Sequence, residues 1–314
     1  MERNTVSLRF LRVNAMGSVI HTIEEQDLYL PVRRPDTHKT DYGKVLLVGG
    51  CVGYAGAVKM ASAACLRAGA GLVYAAVPDA IYVPVASAMT EAMVLPFPSD
   101  PEKGCFATES LEGIRKKAET CDVLILGPGL GRSDSCQALT EDLLKTFPGK
   151  IILDADGLYA FSRMNLSAED FASKEIVVTP HHGEFMRIAH SDGITDPVRN
   201  ASDFAVGSGM ITVLKGPDTV IAFPDGRTAL SRKGNPGMAT GGSGDVLAGL
   251  IGGFAAQFSL EQAVINGVFI HGTAGDLAAE ELGEYSMLPT DIITKVPLVI
   301  KQIINYKREG KNNE

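Results

Sequence analysis

The feature that most constrains this chain is a set of short, almost wholly apolar runs that never alternate with polar residues. They fall at Lys44-Val45-Leu46-Leu47-Val48, 72–77, 122–126, 151–153 and 176–179, each closed by Pro, Gly or Asp. A strand with one wet face alternates, whereas a strand covered on both faces does not. Helical stretches separate the runs, among them the Ala-rich 57–68 and the segment 133–145, with Ser133 or Asp134 as its cap. That order predicts a parallel sheet with helices on both sides. Further on, 212–214, 219–222 and 228–230 are joined only by Lys215-Gly216-Pro217-Asp218 and Pro224-Asp225-Gly226-Arg227, which are hairpin spacings. Part of the sheet is therefore expected to be antiparallel. After Gly244 the pattern is helical almost to Tyr306, with breaks expected at Gly253, Gly283 and Pro289. The 314 residues contain no repeat or linker, so the expected architecture is one three-layer α/β/α domain, mostly parallel with an antiparallel edge.

In such a sheet ligands gather at the carboxyl ends of the strands, and there the glycines concentrate. The richest string is Gly234-Asn235-Pro236-Gly237-Met238-Ala239-Thr240-Gly241-Gly242-Ser243-Gly244-Asp245, followed at once by an apolar helical pattern. Glycines let backbone N–H groups approach a ligand, and a helix start adds unpaired donors and a favourable dipole. The amides of Gly242, Ser243 and Gly244 are thus expected to hold the charge of a phosphoryl group in transfer. A carboxylate repels phosphate unless it has chemistry to do, and a base beside an anion hole is what phosphoryl transfer to a hydroxyl needs. Asp245 is the expected base, kept ionised by its place at a helix start. Asp154 or Asp156 is next in line.

Other segments are individually ambiguous. No G-x-x-x-x-G-K-[ST] occurs and no G-x-G-x-x-G follows a strand, which argues against a Walker-type enzyme or a simple dehydrogenase. Gly49-Gly50-Cys51-Val52-Gly53-Tyr54-Ala55-Gly56-Ala57 is either a tight turn or a ligand loop. Gly127-Pro128-Gly129-Leu130-Gly131 reads as a preorganised backbone wall. Asp154-Ala155-Asp156-Gly157 suits a capped turn and a metal or ribose contact equally. In Thr179-Pro180-His181-His182-Gly183-Glu184, His181 and Glu184 are too few for zinc, and a neutral His181 offering a ring nitrogen to substrate fits better. Lys215 alone reads as a surface lysine or as a phosphate contact.

Composition narrows the partners. Apolar residues make up 45% and charged residues 21%, as in a soluble protein with a large core, and the net charge of −8 argues against nucleic acid or an anionic membrane. Five cysteines, an odd number with no C-x-x-C, suit reduced thiols in a cytoplasmic protein. The first 26 residues carry Arg3, Arg9 and Arg12 without a signal-peptide core, and Met16-Gly17 could be an alternative start.

Taken together and in this order, the segments resemble the ADP- or ATP-dependent NAD(P)H-hydrate dehydratases, which have the ribokinase-like fold. The resemblance covers roughly 43–304, and its most discriminating part is the Gly234–Asp245 string, because related sugar and vitamin kinases keep mainly a Gly-x-Gly-Asp core. It implies a repair enzyme that phosphorylates the ring hydroxyl of hydrated NADH or NADPH and lets phosphate leave. By the same resemblance, Lys215, Gly216, Pro217, Asp218, Thr219 and Gly244 line the adenine nucleotide. Ala57, Gly129, Gly131 and His181, with Asp245, face the hydrated dinucleotide. ADP or ATP is the expected co-substrate, and Mg²⁺ on its phosphates follows from phosphoryl-transfer chemistry, with no protein ligands readable. A homotetramer is also implied. Residues 1–40 form an extension of no derivable role, too short for the epimerase domain fused to many bacterial relatives, so a stand-alone dehydratase domain is expected over 41–308 with a polar tail at 309–314. Two rivals remain: a kinase of the same fold acting on a hydroxymethylpyrimidine, thiazole or sugar alcohol, and a non-catalytic nucleotide-binding regulator, against which Asp245 counts.

Overall fold

The apolar runs become strands of a single ten-stranded sheet in a computed structural model that describes residues 20–164, 171 and 173–311. In chain order the strands are β1 (His21–Thr22), β2 (Lys44–Val48), β3 (Leu72–Pro78), β4 (Met93–Phe97), β5 (Val123–Leu126), β6 (Lys150–Leu153), β7 (Glu175–Val178), β8 (Ile211–Leu214), β9 (Thr219–Ala222) and β10 (Thr228–Ser231). In space they run β1-β10-β9-β8-β7-β6-β5-β2-β3-β4. Only β8–β9 and β9–β10 pair antiparallel, as the hairpin spacings require. Strand β2 explains the missing alternation. Val45 and Leu47 enter the core on one face, Leu46 and Val48 the core on the other, and all four are fully buried. Each such side chain contributes about 2 kcal/mol by leaving water.

Helices α1 (Ala55–Arg67), α8 (Ser243–Ala255), α9 (Leu260–Leu282) and α10 (Pro289–Lys311) share the first of these cores. Helices α3 (Ser110–Ala118), α4 (Asp134–Thr146) and α5 (Asp156–Phe161) share the second. Helices α6 (His182–Ile188) and α7 (Pro197–Ser208) pack over the antiparallel end through Phe185, Ala201 and Ala205, and α2 (Tyr82–Ala86) precedes the edge strand β4. The layers are α/β/α. Ser133 caps α4 by accepting from the Cys136 amide, and all five cysteines are buried free thiols.

Three expectations need correction. Gly253 does not break a helix but lies inside α8, where a Cβ would sit 2.4 Å from the Cys65 carbonyl oxygen, so glycine is what lets α1 and α8 pack backbone to backbone. The described part of the N-terminal extension is not an appendage. Strand β1 pairs with β10, Ile23 and Leu28 are buried, and Asn266 of α9 holds both the amide and the carbonyl of Tyr29. A boundary at 41 therefore cuts through one core, and a boundary at 308 falls inside α10. The remainder of the extension, 1–19, lies outside the described residues.

The sheet sets the place for ligands. From β2 the chain builds outward through β3 and β4, then returns to add β5 on β2's other side. The loops leaving β2 and β5 thus meet at a topological switch point, with the Gly50 amide donating to the Pro128 carbonyl at 2.9 Å.

Candidate active site

The carboxyl ends of β2, β5, β6, β7 and β8 and the start of α8 bring the Gly-rich and acidic segments together. Helix α8 begins after Gly242, whose φ of 106° suits glycine and turns the chain so that the first amides face outward. The expected trio of donors is revised. The Ser243 amide is spent on the Thr240 carbonyl at 3.3 Å, closing the turn, and the Ser243 side chain is buried, 3.3 Å from His271 Nε2. Among the described residues the amides of Gly242, Gly244 and Asp245 have no acceptor, and these three are available to an anion. Burial pushes His271 down to about 4, so its ring is neutral at pH 7.

Beside this helix end lies a buried ion pair. Asp154, at the end of β6, is 1% exposed and accepts from Thr179 Oγ1 at 2.8 Å and from Lys215 Nζ at 3.0 Å. Lys215 also lies 3.7 Å from Glu184 Oε2. A Cβ on Gly244 would stand 3.2 Å from Lys215 Nζ, so the ammonium rests directly against the helix start. Burial works against the Lys215 charge, but Asp154, Glu184 and Asp245 outweigh it and hold its pKa above the ordinary lysine value. The surface-lysine reading of Lys215 therefore falls.

Asp245 behaves differently from the expectation that its helix position keeps it ionised. Burial first, then the Asp154 charge, push its pKa up to about 7; Lys215 opposes, and Asp156 and Glu184 add to the rise. The helix dipole acts locally and modestly, whereas carboxyls brought in from β6, α5 and α6 act at close range in a poorly solvated site. The carboxyl is thus poised to exchange a proton near neutral pH, as a general base requires.

The other expected residues are distributed around this centre. Gly129 lies against Tyr54 and Ala57. The Gly131 amide donates to Asp156 Oδ2 at 3.0 Å, whose other oxygen takes Arg132 Nε at 2.9 Å. His181 caps α6, its Nδ1 accepting from the Gly183 amide at 3.0 Å, which leaves the proton of a neutral ring on Nε2. That ring is exposed, and the capping box is closed by Glu184 accepting from the His181 amide. The segment after Lys215 does not follow its side chain inward: Gly216, Pro217 and Asp218 form the exposed β8–β9 turn, and Thr219 opens β9. Among the described residues no three His, Cys, Asp or Glu side chains converge as a metal cage.

One residue that anchors the Gly-rich string escaped the sequence reading. Asp276 of α9 accepts from the Gly234 amide and from Asn235 Nδ2, both at 3.1 Å, and the loop lies on Gly272 and Gly275 of the same helix. The spacing Gly272, Gly275, Asp276 on one helix face was the available signal. A cavity of about 840 Å³ lined by Arg33, Phe254 and Phe258 contains none of these groups. Chemistry rather than concavity marks this site.

Comparison with known proteins agrees with the geometry. Residues 45–298 match the family described as NAD(P)H-hydrate dehydratase. The chain is 38% identical over 279 residues to a bifunctional NAD(P)H-hydrate repair enzyme of Moorella thermoacetica, covering 87% of this chain and 52% of that protein. It thus spans about half the length of such bifunctional relatives. It is 34% identical to an ADP-dependent (S)-NAD(P)H-hydrate dehydratase of Xanthomonas campestris, covering 87% of this chain and 93% of that one. The crystal structure of the ADP/ATP-dependent NAD(P)H-hydrate dehydratase of Bacillus subtilis, co-crystallised with ATP/Mg²⁺, superposes with a TM-score of 0.78 at 28% identity, covering 92% of this chain and 100% of that one.

Proposed function

The chain belongs to the NAD(P)H-hydrate dehydratase family, and from that premise we propose that it uses ADP or ATP to return the hydrate of NADH or NADPH to the intact cofactor. The observation that carries this reading is the meeting of a near-neutral carboxyl, Asp245, with the free amides of Gly242 and Gly244 and the ammonium of Lys215. A protein that only bound nucleotide needs the donors but not the base.

In the proposed reaction, Asp245 takes the proton of the ring hydroxyl as its oxygen attacks the terminal phosphorus of the nucleotide. The amides at the start of α8 and the Lys215 ammonium hold the charge that develops on the transferred group. The ring nitrogen then pushes electrons toward the carbon bearing the phosphate. The C–O bond breaks, phosphate leaves, and loss of a proton from the neighbouring ring carbon restores the double bond. The wall of Ala57, Gly129 and Gly131 orients the dihydronicotinamide side, and His181 offers an Nε2–H donor at its edge. Lys215 to Thr219 and Gly244 line the adenine nucleotide. Asp154 and Glu184 are both engaged by Lys215, and among the described residues no open carboxylate cage is formed; Mg²⁺ would belong to the nucleotide phosphates, and no step is assigned to it. A homotetramer in the cytoplasm completes the proposal, and no described helix is long and apolar enough to cross a membrane.

The test is incubation with hydrated NADH or NADPH and either ADP or ATP, reading recovery of the reduced-nicotinamide absorbance. Recovery that requires nucleotide is the expected result. No recovery with either nucleotide, together with phosphorylation of a hydroxymethylpyrimidine or thiazole alcohol, would turn the assignment to a small-molecule kinase.

A further inference from the structure

In a chain of net charge −8, three arginines converge on one tyrosine ring. The guanidinium of Arg132 lies 4.4 Å from the Tyr159 ring centroid, that of Arg187 5.6 Å and that of Arg163 5.7 Å. They arrive from different segments: the loop after β5, helix α6 and the turn that follows α5. Asp156 answers Arg132. Arg163 donates to the Tyr159 hydroxyl at 3.3 Å, and among the described residues no acid pairs with Arg163 or Arg187. Among the described residues, Asp156 is engaged by Arg132 and the Gly131 amide, and Glu184 by Lys215 and the His181 amide. All three guanidiniums are exposed. Like charges gathered on one ring repel, so the arrangement favours an anion between them.

The location suggests which anion. Arg132 directly follows Gly131 of the proposed dinucleotide wall, and Arg187 lies on the helix that His181 heads. Asp156 is linked to both ends, since its charge raises Asp245 and its carboxylate accepts from Arg132, whose guanidinium is exposed. The cluster therefore lies outward from the reacting end, where the remote part of a dinucleotide reaches. The backbone donors of the Gly-rich loops suit the pyrophosphate common to both dinucleotides. Two guanidiniums that have no acidic partner among the described residues suit an additional phosphomonoester dianion.

We propose that Arg132, Arg163 and Arg187 bind the 2′-phosphate of hydrated NADPH and make this chain prefer it to hydrated NADH. The inference rests on the dehydratase reading, and its test separates the two. Arg163→Ala and Arg187→Ala are each expected to raise KM for the NADPH-derived hydrate about tenfold, leaving kcat and the NADH-derived KM within about twofold. Arg→Lys at the same positions keeps the charge but not the fork and should recover part of the loss. Calorimetry with adenosine 2′,5′-bisphosphate against AMP reads the same site without turnover: the wild type should favour the bisphosphate, and the double alanine variant should not. Equal rises in KM on both hydrates would assign the cluster to the pyrophosphate and overturn the proposal, as would no change on either. A bisphosphate preference that the arginine variants abolish, in a protein inactive on both hydrates, would uphold the phosphate site and sink the dehydratase.

Discussion

Asp245→Asn removes the carboxyl whose proton balance, among the described residues, the fold disturbs most. Burial first, then Asp154, carry the Asp245 carboxyl from 3.8 to about 7. The folded chain thus holds this proton more tightly than the unfolded chain does. Below the unfolded value both states are protonated and nothing is lost. As pH rises the unfolded chain ionises first, and above about 7 the folded chain bears the whole cost. At 1.36 kcal/mol per pH unit that cost approaches about 4 kcal/mol. Asn has no proton to release, so the variant should be more stable than the wild type, by about 2 kcal/mol at pH 5 and about 4 kcal/mol at pH 8. Asp245 is partly open to solvent, which trims both figures by about half and leaves the widening with pH intact. Turnover should fall by about 10²–10⁴-fold in the same protein. Urea unfolding of both proteins at the two pH values reads the stability difference. Equal stabilisation at pH 5 and pH 8, or a variant less stable than wild type at pH 8, would refute the claim that the site holds this carboxyl near neutrality.

Other perturbations probe the neighbours. Asp154→Asn removes the largest charge raising Asp245 and frees Lys215 to act on it, so the rising limb of the pH–rate profile, expected near 7 in the wild type, should move to lower pH by about one unit; a limb that stays or moves upward contradicts the coupling. Gly253→Ala sets helix propensity, which favours alanine by about 1 kcal/mol, against a Cβ 2.4 Å from the Cys65 carbonyl oxygen. Overpacking should win, with a net destabilisation of about 2 kcal/mol, and a raised melting temperature would show that α1 and α8 are not in backbone contact. Asp276→Ala releases Gly234 and Asn235, and kcat/KM should drop about tenfold through loss of loop position, with Asp276→Asn intermediate; an unchanged kcat/KM would make the clamp ornamental.

Most of the sheet was legible because those strands are buried on both faces, whereas the half-buried edge strand β4 was not read. No amphipathic ambiguity arises when Val45, Leu46, Leu47 and Val48 all leave water. Strand β1 was not legible, since two residues carry no period and its partner β10 is some two hundred residues away. Gly253 misled because a glycine in a helical pattern reads the same whether it ends the helix or admits a neighbour's backbone. Asp245 reads as the expected base from its place beside an anion hole, but its proton affinity depends on Asp154, Asp156 and Glu184, which only the fold gathers. The same holds for Lys215 and Asp154, joined across 61 positions, and for Asp276, whose loop partners lie 42 and 41 positions away.

The central claim is that the ring hydroxyl itself attacks phosphorus and departs as part of the phosphate. Hydrated NADH carrying heavy oxygen in that hydroxyl tests it directly, with mass analysis of the inorganic phosphate released during a single turnover with ADP or ATP. The account predicts one labelled oxygen in each phosphate formed, in step with recovery of NADH. Label appearing in water, with unlabelled phosphate, would contradict it.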